Sequence, residues 1–127
     1  MKRITELFVV LENRPGVLGD LCGHLAEHAV NIEAIGVFQD TAKLYVKKLK
    51  RAEDVLNRLN YTTDRRDVIK VDLENRPGSL AEISECLGRN GINIEYCYGS
   101  LAAKRKPASL ILDVSDIDKA LSLLKKL

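Results

Sequence analysis

Apolar and polar residues follow the same order of periodicities in both halves of this 127-residue chain. Apolar residues alternate over 7–11 and again over 69–73, which predicts strands with one buried face. Each strand leads into a segment with apolar residues three or four apart, as on one face of a helix. These stripes comprise Leu18, Leu21, Cys22, Leu25 and Ala26, and then Leu80, Ile83 and Leu87. Further strands are predicted over 31–38, 43–47, 93–98 and 109–114, and a second short amphipathic helix follows in each half.

The two halves differ in how they end. The first half has one more extended segment, Tyr61 to Arg66, which runs into the next strand, whereas the second half stops at Leu127. The orders βαββαβ and βαββα predict an α+β fold of two tandem ferredoxin-like units, 1–66 and 67–127. We expect antiparallel sheets with helices on one face and a second unit that lacks its last strand. The vacant edge would then pair with another chain.

A polar turn is repeated in register. The segment Leu11-Glu12-Asn13-Arg14-Pro15-Gly16 returns as Leu73-Glu74-Asn75-Arg76-Pro77-Gly78, and Asn31-Ile32-Glu33 returns as Asn93-Ile94-Glu95. Both pairs are 62 residues apart, so the spacing between the two motifs is also preserved. Such self-similarity at a fixed period indicates an internal structural repeat.

The repeated turn has chemistry suited to a small anion. Proline suits the first helical turn, so a helix is expected to begin at each turn. A helix N-terminus presents unpaired N–H groups and about half a positive charge, which favours a carboxylate. Gly16 and Gly78 lack a Cβ and let a ligand approach the backbone, while the amides of Asn13 and Asn75 offer donors and an acceptor. The same turn is also a good helix start with nothing bound, so both interpretations stay open.

The stretches Glu12 to Glu33 and Glu74 to Glu95 resemble the opening of ACT domains, which are ferredoxin-like regulatory modules that sense amino acids. The resemblance covers both halves and is greatest to small stand-alone tandem ACT proteins. It implies an effector held between paired units, by the first turn of one unit and the start of the second strand of the other. By matching position, the implied ligand-binding residues are Asn13, Arg14, Pro15, Gly16, Val17, Leu18, Asn31, Ile32, Asn75, Arg76, Pro77, Gly78, Ser79, Leu80, Asn93 and Ile94.

The expected outward face of the first sheet is apolar. The sequence places Phe8, Val10, Ile35, Val37 and Tyr45 there, against Lys70, Asp72, Glu95 and Asp113 in the second half. An exposed apolar sheet face suggests that a partner covers it, so we expect a homo-oligomer, with a dimer as the simplest form.

Other chemistries have weaker support in the sequence. His24 and His28 are spaced like a metal pair, but no third ligand is evident. The cysteines Cys22 and Cys86 are expected to be small core residues, with no base placed beside either. The basic clusters Lys47 to Arg51 and Lys104 to Lys106 are expected in solvated loops, and the aromatic RNA-binding motif of ferredoxin-like sheets is missing.

Composition and charge limit the protein class. Charged residues make up 30% of the chain and hydrophobic residues 46%, with a net charge of +2, which is too small to indicate nucleic acid binding. The sequence has no apolar run of membrane-spanning length and no signal peptide, and its three cysteines suit a reducing cytoplasm. We therefore expect a cytoplasmic, non-enzymatic regulator without a cofactor, whose partners are an amino acid and a metabolic enzyme, not nucleic acid or membrane. A ligand-free protein–protein adaptor on ACT folds is the alternative.

Overall fold

The computed structural model describes residues 1–100 and 108–127. The elements within these residues are β1 (Lys2–Val10), α1 (Val17–Glu27), β2 (Ala34–Phe38), β3 (Thr41–Tyr45), α2 (Leu49–Arg58), β4 (Thr63–Leu73), α3 (Ser79–Arg89), β5 (Ile94–Ser100), β6 (Ala108–Val114) and α4 (Ile117–Leu124). The predicted order of strands and helices is confirmed, with the extended segment from Tyr61 and the strand over 69–73 joined in the single strand β4. The chain divides into two compact units, which we call the first unit (Thr5–Arg66) and the second unit (Met1–Ile4 with Asp67–Leu127).

The first unit is a ferredoxin-like sheet covered by two helices. Its strand order is β2-β3-β1-β4, and both β1 and β2 pair antiparallel with β3. Residues Leu7 and Ile35 both lie opposite Leu44 in this pairing. The core is formed by alternate strand residues and by one face of each helix, including Leu7, Val9, Leu21, Leu25, Ala42, Leu44, Ala52 and Leu56.

The second unit repeats this arrangement with β5, β6 and β4 as neighbours. Both β4 and β5 pair antiparallel with β6, so that Ile69 and Cys97 lie opposite Leu112. In its core, α3 and α4 pack against one face of this unit's strands. The buried residues there include Ile69, Val71, Ile83, Leu87, Leu112, Ala120 and Leu124.

The sheet edge of the second unit, which was expected to be vacant, is occupied by the N-terminal segment of this same chain. Strand β1 neighbours β4 in the sheet order. The segment Met1–Ile4, which includes the first residues of β1, clusters with the second unit. Ile4 is buried, and Arg3 forms ion pairs with Asp118 and, at 3.9 Å, with Asp67. The expectation of an open edge was therefore wrong. The cause is that β1 begins at Lys2, where polar residues obscure the strand signal.

The strand register corrects the expected outward face of the first unit. Ile35 lies opposite Leu44 and Val37 lies opposite Ala42, so both share the helix-covered face with core residues. They are nevertheless 38% and 40% exposed, because β2 is at the sheet edge. The prediction was wrong for these two residues.

Phe8, Val10 and Tyr45 do lie on the outward face, together with Lys43. The Lys43 ammonium is 4.2 Å from the centroid of the Phe8 ring and 5.1 Å from that of Phe38. A cation over two aromatic faces is held electrostatically. The outward face is therefore mixed in character rather than purely apolar.

The C-termini of α1 and α3 are capped by the same backbone motif. The Val30 N–H donates to the Leu25 carbonyl at 2.9 Å, and the Ala29 N–H donates to the Ala26 carbonyl at 3.0 Å. This is the Schellman arrangement, which requires a left-handed residue after the helix. That residue is Gly91 (φ 73°) after α3, but it is Ala29 (φ 56°) after α1. The first repeat therefore carries backbone strain that the second avoids.

We predict that Ala29→Gly raises the free energy of unfolding by about 0.5–1 kcal/mol, because relief of left-handed strain exceeds the added entropy of the unfolded chain. The reciprocal Gly91→Ala should lower it by a similar amount. Urea unfolding followed by circular dichroism measures both variants. Destabilisation by Ala29→Gly would contradict the strain described at this position.

Candidate functional site

Both repeated turns have the same backbone geometry. Gly16 (φ 88°) directly precedes α1, and Gly78 (φ 92°) directly precedes α3. Glycine adopts this left-handed conformation at little cost, whereas other residues are strained there. Pro15 and Pro77 therefore lie in the turn, two residues before the helix, and not in the first helical turn as expected. The glycine turns the chain so that the helix begins at residue 17 or 79.

The N-termini of these helices carry no side-chain cap within the described residues. The first helical bonds run from the Asp20 N–H to the Gly16 carbonyl at 3.0 Å and from the Glu82 N–H to the Gly78 carbonyl at 2.9 Å. By contrast, Asp116 caps α4 by accepting from the Lys119 N–H at 3.0 Å. The earlier N–H groups of an uncapped helix have no intrahelical acceptor. At the second turn the Ser79 N–H donates to the Arg76 carbonyl at 3.3 Å, outside the helix. Both turns thus present the remaining first-turn amide donors and the positive end of a helix dipole.

Each turn borders a surface hollow of about 360 Å³ within its own unit. The first hollow lies between the end of β1, the turn, α1 and the segment after α2, and its lining includes Glu12, Arg14, Val17, Asp20 and Tyr61. The second hollow lies between β4, the turn, α3 and α4, and its lining includes Glu74, Arg76, Ser79, Glu82 and Leu124. Repeat-related positions therefore contribute to both hollows. The side chains differ at several of them, including Val17 against Ser79 and Asp20 against Glu82.

The turn arginines are bound by neighbouring carboxylates. Arg14 Nε donates to a Glu12 carboxylate oxygen at 2.7 Å, and Arg76 Nε donates to Glu74 at 3.0 Å. Arg76 also donates to both carboxylate oxygens of Glu82, at 2.9 and 3.0 Å. Hydrogen bonds to Glu82 and Glu74 raise the pKa of Arg76, as the Glu12 bond does for Arg14. The rim of each hollow therefore combines carboxylates with an arginine whose charge they offset.

The first hollow also contains a neutral phenol. Tyr61 is half-buried, with its ring in edge contact with His24 at 6.1 Å between centroids. Burial raises the pKa of the Tyr61 hydroxyl, and the nearby Asp20 charge raises it further. The hydroxyl is thus protonated at neutral pH and can donate or accept a hydrogen bond. Nothing in the sequence pattern indicated Tyr61, because it reaches the hollow from the segment after α2.

The predicted ligand-binding residues fall into two groups within each unit. Asn13, Arg14, Pro15 and Gly16 are exposed at the first turn, and Asn75, Arg76, Pro77 and Gly78 are exposed at the second. Val17 and Ser79 are buried, while Leu18 and Leu80 are each 42% exposed. The buried face of α1 therefore runs through Val17, Leu21 and Leu25, and not through Leu18 as expected.

Asn31, Ile32, Asn93 and Ile94 lie beyond the far ends of α1 and α3. Each helix has 11 residues, so about 16 Å of helix separates them from the turn of their own unit. The Asn31 amide donates to Glu33 at 3.4 Å, and the Asn93 N–H donates to the Ser115 hydroxyl at 2.9 Å. The structure does not bring the two groups together within a unit, so a role at a site between units stays a prediction.

The cations of the first basic cluster have local structural partners. Lys48 and Arg51 donate to the carbonyls of Ala29 and His28, each at 3.4 Å, at the end of α1. Lys50 bonds to Asp54 at 2.9 Å. Part of this cluster lies in α2, and not in a loop as expected. The second cluster, Lys104 to Lys106, lies outside the described residues.

Metal and thiol chemistry find little support in the described part of the chain. His28 Nδ1 lies 2.9 Å from the His24 carbonyl oxygen, and residues 1–100 and 108–127 contain no group of three potential metal ligands. Cys22, Cys86 and Cys97 are free thiols; only Cys86 is buried. Within the same ranges no helix has the length and apolarity to cross a membrane.

The sequence and the fold of this chain are similar to those of known proteins. Residues 7–61 match the family model described as the AHAS small subunit-like ACT domain, which confirms the resemblance to ACT domains over this part of the chain. No curated protein matches the sequence. The crystal structure of protein BT0572 from Bacteroides thetaiotaomicron superposes with a TM-score of 0.86 and 27% identity, covering 98% of this chain and 88% of that one.

Two aspartate kinase structures share the fold at lower identity. The ligand-free regulatory subunit from Thermus thermophilus has a TM-score of 0.67 and 16% identity, covering 99% of this chain and 97% of that one. E. coli aspartokinase III, in complex with lysine and aspartate, has a TM-score of 0.61 and 14% identity, covering 98% of this chain and 30% of that one. At these identities the two similarities show a shared fold.

We predict that Tyr61 titrates above its ordinary pKa of 10 and that Asp20→Asn lowers this value. A raised folded-state pKa adds stability that is complete below the unfolded-state pKa and is lost as pH rises through the folded-state value. Wild-type protein should therefore lose more stability than Tyr61→Phe between pH 9 and pH 12. Carbon-13 NMR of the tyrosine ring measures the pKa. A Tyr61 pKa at or below 10 would contradict its burial.

Proposed function

We propose that this chain is a non-enzymatic, cytoplasmic regulatory protein that binds a free amino acid at its two turns. The observation that carries the proposal is the repeated, uncapped helix N-terminus behind a left-handed glycine, open to a hollow of about 360 Å³ in each unit. The match of residues 7–61 to an ACT domain supports it. In this proposal the sequence repeats, 1–66 and 67–127, each contribute one turn.

The ligand carboxylate would bind at the start of α1 or α3. Backbone N–H groups near Gly16 or Gly78 would donate to it, and the helix dipole would favour its charge. A Cβ at Gly16 would have no heavy atom within 4 Å, so the backbone there is open to a ligand. The exposed Pro15 and Pro77 would stiffen the turn, since proline has one accessible φ value.

The ligand ammonium would be held by polar groups around the same turn. The amide oxygen of Asn13 or Asn75 is one acceptor, and the rim carboxylates add negative charge. Backbone carbonyls near Asn31 and Ile32, or Asn93 and Ile94, would come from another ACT-like unit. Leu18 and Leu80, both exposed beside the turns, would then be covered by that unit.

Binding at a site shared by two units would couple ligand to assembly. A ligand that contacts both units stabilises their paired state, and pairing in turn raises the affinity for ligand by the same factor. The structures of similar fold, a regulatory subunit of aspartate kinase and an aspartokinase with bound lysine and aspartate, support control of a metabolic enzyme. We therefore propose a homo-oligomer, or a complex with such an enzyme, as the regulated state.

Calorimetric titration with each of the 20 common amino acids should reveal binding of at least one. The double variant Asn13→Ala/Asn75→Ala should reduce that affinity at least about tenfold, because a hydrogen bond to a charged group is lost at each site. Asn57→Ala, an amide truncation on α2, serves as the control and should bind as wild type. Absence of heat with all 20 amino acids would contradict the proposal.

A ligand-free adaptor is the second candidate, favoured by the exposed apolar residues of the first unit. Val10 is 56% exposed and Phe38 is 43% exposed. For an adaptor, a partner enzyme should co-purify with the tagged chain in the same amount with and without added amino acids. Val10→Asp should then abolish co-purification, with Leu59→Asp, another exposed apolar residue, as the control. A co-purified amount that changes with an amino acid would instead favour the sensor.

A further inference from the structure

The two hollows differ at the first residue of the helix. In the second hollow this residue is Ser79, which is only 8% exposed and whose hydroxyl has no hydrogen-bond partner in the described structure. The repeat-related residue in the first hollow is Val17, which is equally buried at 7%. One turn therefore offers a buried hydroxyl where the other offers only methyl groups.

A buried hydroxyl without a partner is unfavourable, because it has lost its bonds to water. Most buried polar side chains in native proteins are hydrogen-bonded, so an exception calls for a physical account. Ser79 is one of the residues that line the second hollow, and it is the first residue of α3. A ligand with a hydrogen-bonding group at that point would restore the missing bond.

The neighbouring polar residues of the second hollow are already engaged. Glu82 binds the Arg76 guanidinium through both carboxylate oxygens, and Glu74 binds its Nε atom. In the first hollow the shorter Asp20 forms no such bond to Arg14 within the described residues. Arg76 thus ties the second turn to α3, and Ser79 is left as a free buried hydrogen-bonding side chain there.

Resting on the proposed function, we propose that Ser79 selects the ligand of the second site. The hydroxyl bonds to the side chain of an amino acid that carries a hydroxyl or amide group, whereas Val17 gives the first site no such preference. A site that hydrogen-bonds a ligand group discriminates against the analogue that lacks it, because the buried partner is then left unpaired. The two sites of one chain therefore have different specificities.

Site-resolved NMR titration tests this. Amide shifts of residues 78–80 report the second site, and those of 16–18 report the first. The probes are the near-isosteric pairs L-threonine with L-valine and L-serine with L-alanine. At the second site the hydroxyl-bearing member of at least one pair should bind at least about tenfold tighter, and Ser79→Val should remove that preference. Val17→Ser should introduce it at the first site, while Ser84→Ala on α3 serves as the control.

The outcomes distinguish the role of Ser79 from the proposed binding of an amino acid. Binding at the second site with an unchanged hydroxyl preference in Ser79→Val would overturn the role of Ser79 while the proposed function stands. No binding by any of the 20 common amino acids at either site would overturn the function and this inference with it.

Urea unfolding without ligand adds an independent measurement. Ser79→Ala should leave the unfolding midpoint unchanged or raise it, because no hydrogen bond is lost. A clear fall in the midpoint would show that the hydroxyl has a structural partner, and would overturn the inference.

Discussion

The geometry of the glycine before each helix is the constraint on which the candidate site depends. Gly16 and Gly78 adopt left-handed φ values that place the polar turn outside the core, while buried residues anchor it on both sides. In the first unit these anchors are Leu11 and Val17, which pack in one cluster with the sheet. The helices therefore begin directly after an exposed turn, next to the hollows, and carry no side-chain cap within the described residues.

The sheets of both units depend on the same two strands. The boundary between the units falls within β1, after Ile4, and within β4, after Arg66. Each strand therefore contributes one segment to the first unit and another to the second. Units of about 60 residues bury a smaller fraction of their surface than larger domains do, and are marginally stable alone.

Duplication has kept the backbone of the repeats and changed the chemistry at a few positions. Ala29 replaces Gly91 at the left-handed helix end, Asp20 replaces Glu82 on the rim, and Val17 replaces Ser79 in the hollow. The longer Glu82 side chain reaches Arg76, whereas Asp20 instead lies close enough to raise the Tyr61 pKa. The two repeats therefore present the same backbone geometry at the turn, but different side chains around it.

The sequence by itself determined the order of elements, the repeat and the polar turns, because periodicity and turn residues act locally. It failed where distant segments meet: polar Lys2 and Arg3 concealed the start of β1, which occupies the edge beside β4. The face of a short edge strand depends on its register, so only the pairing of Ile35 with Leu44 revealed its true side. The tertiary structure likewise decided which residues share a hollow, because nonlocal packing brings Tyr61 to one turn and leaves the Ser79 hydroxyl unpaired at the other.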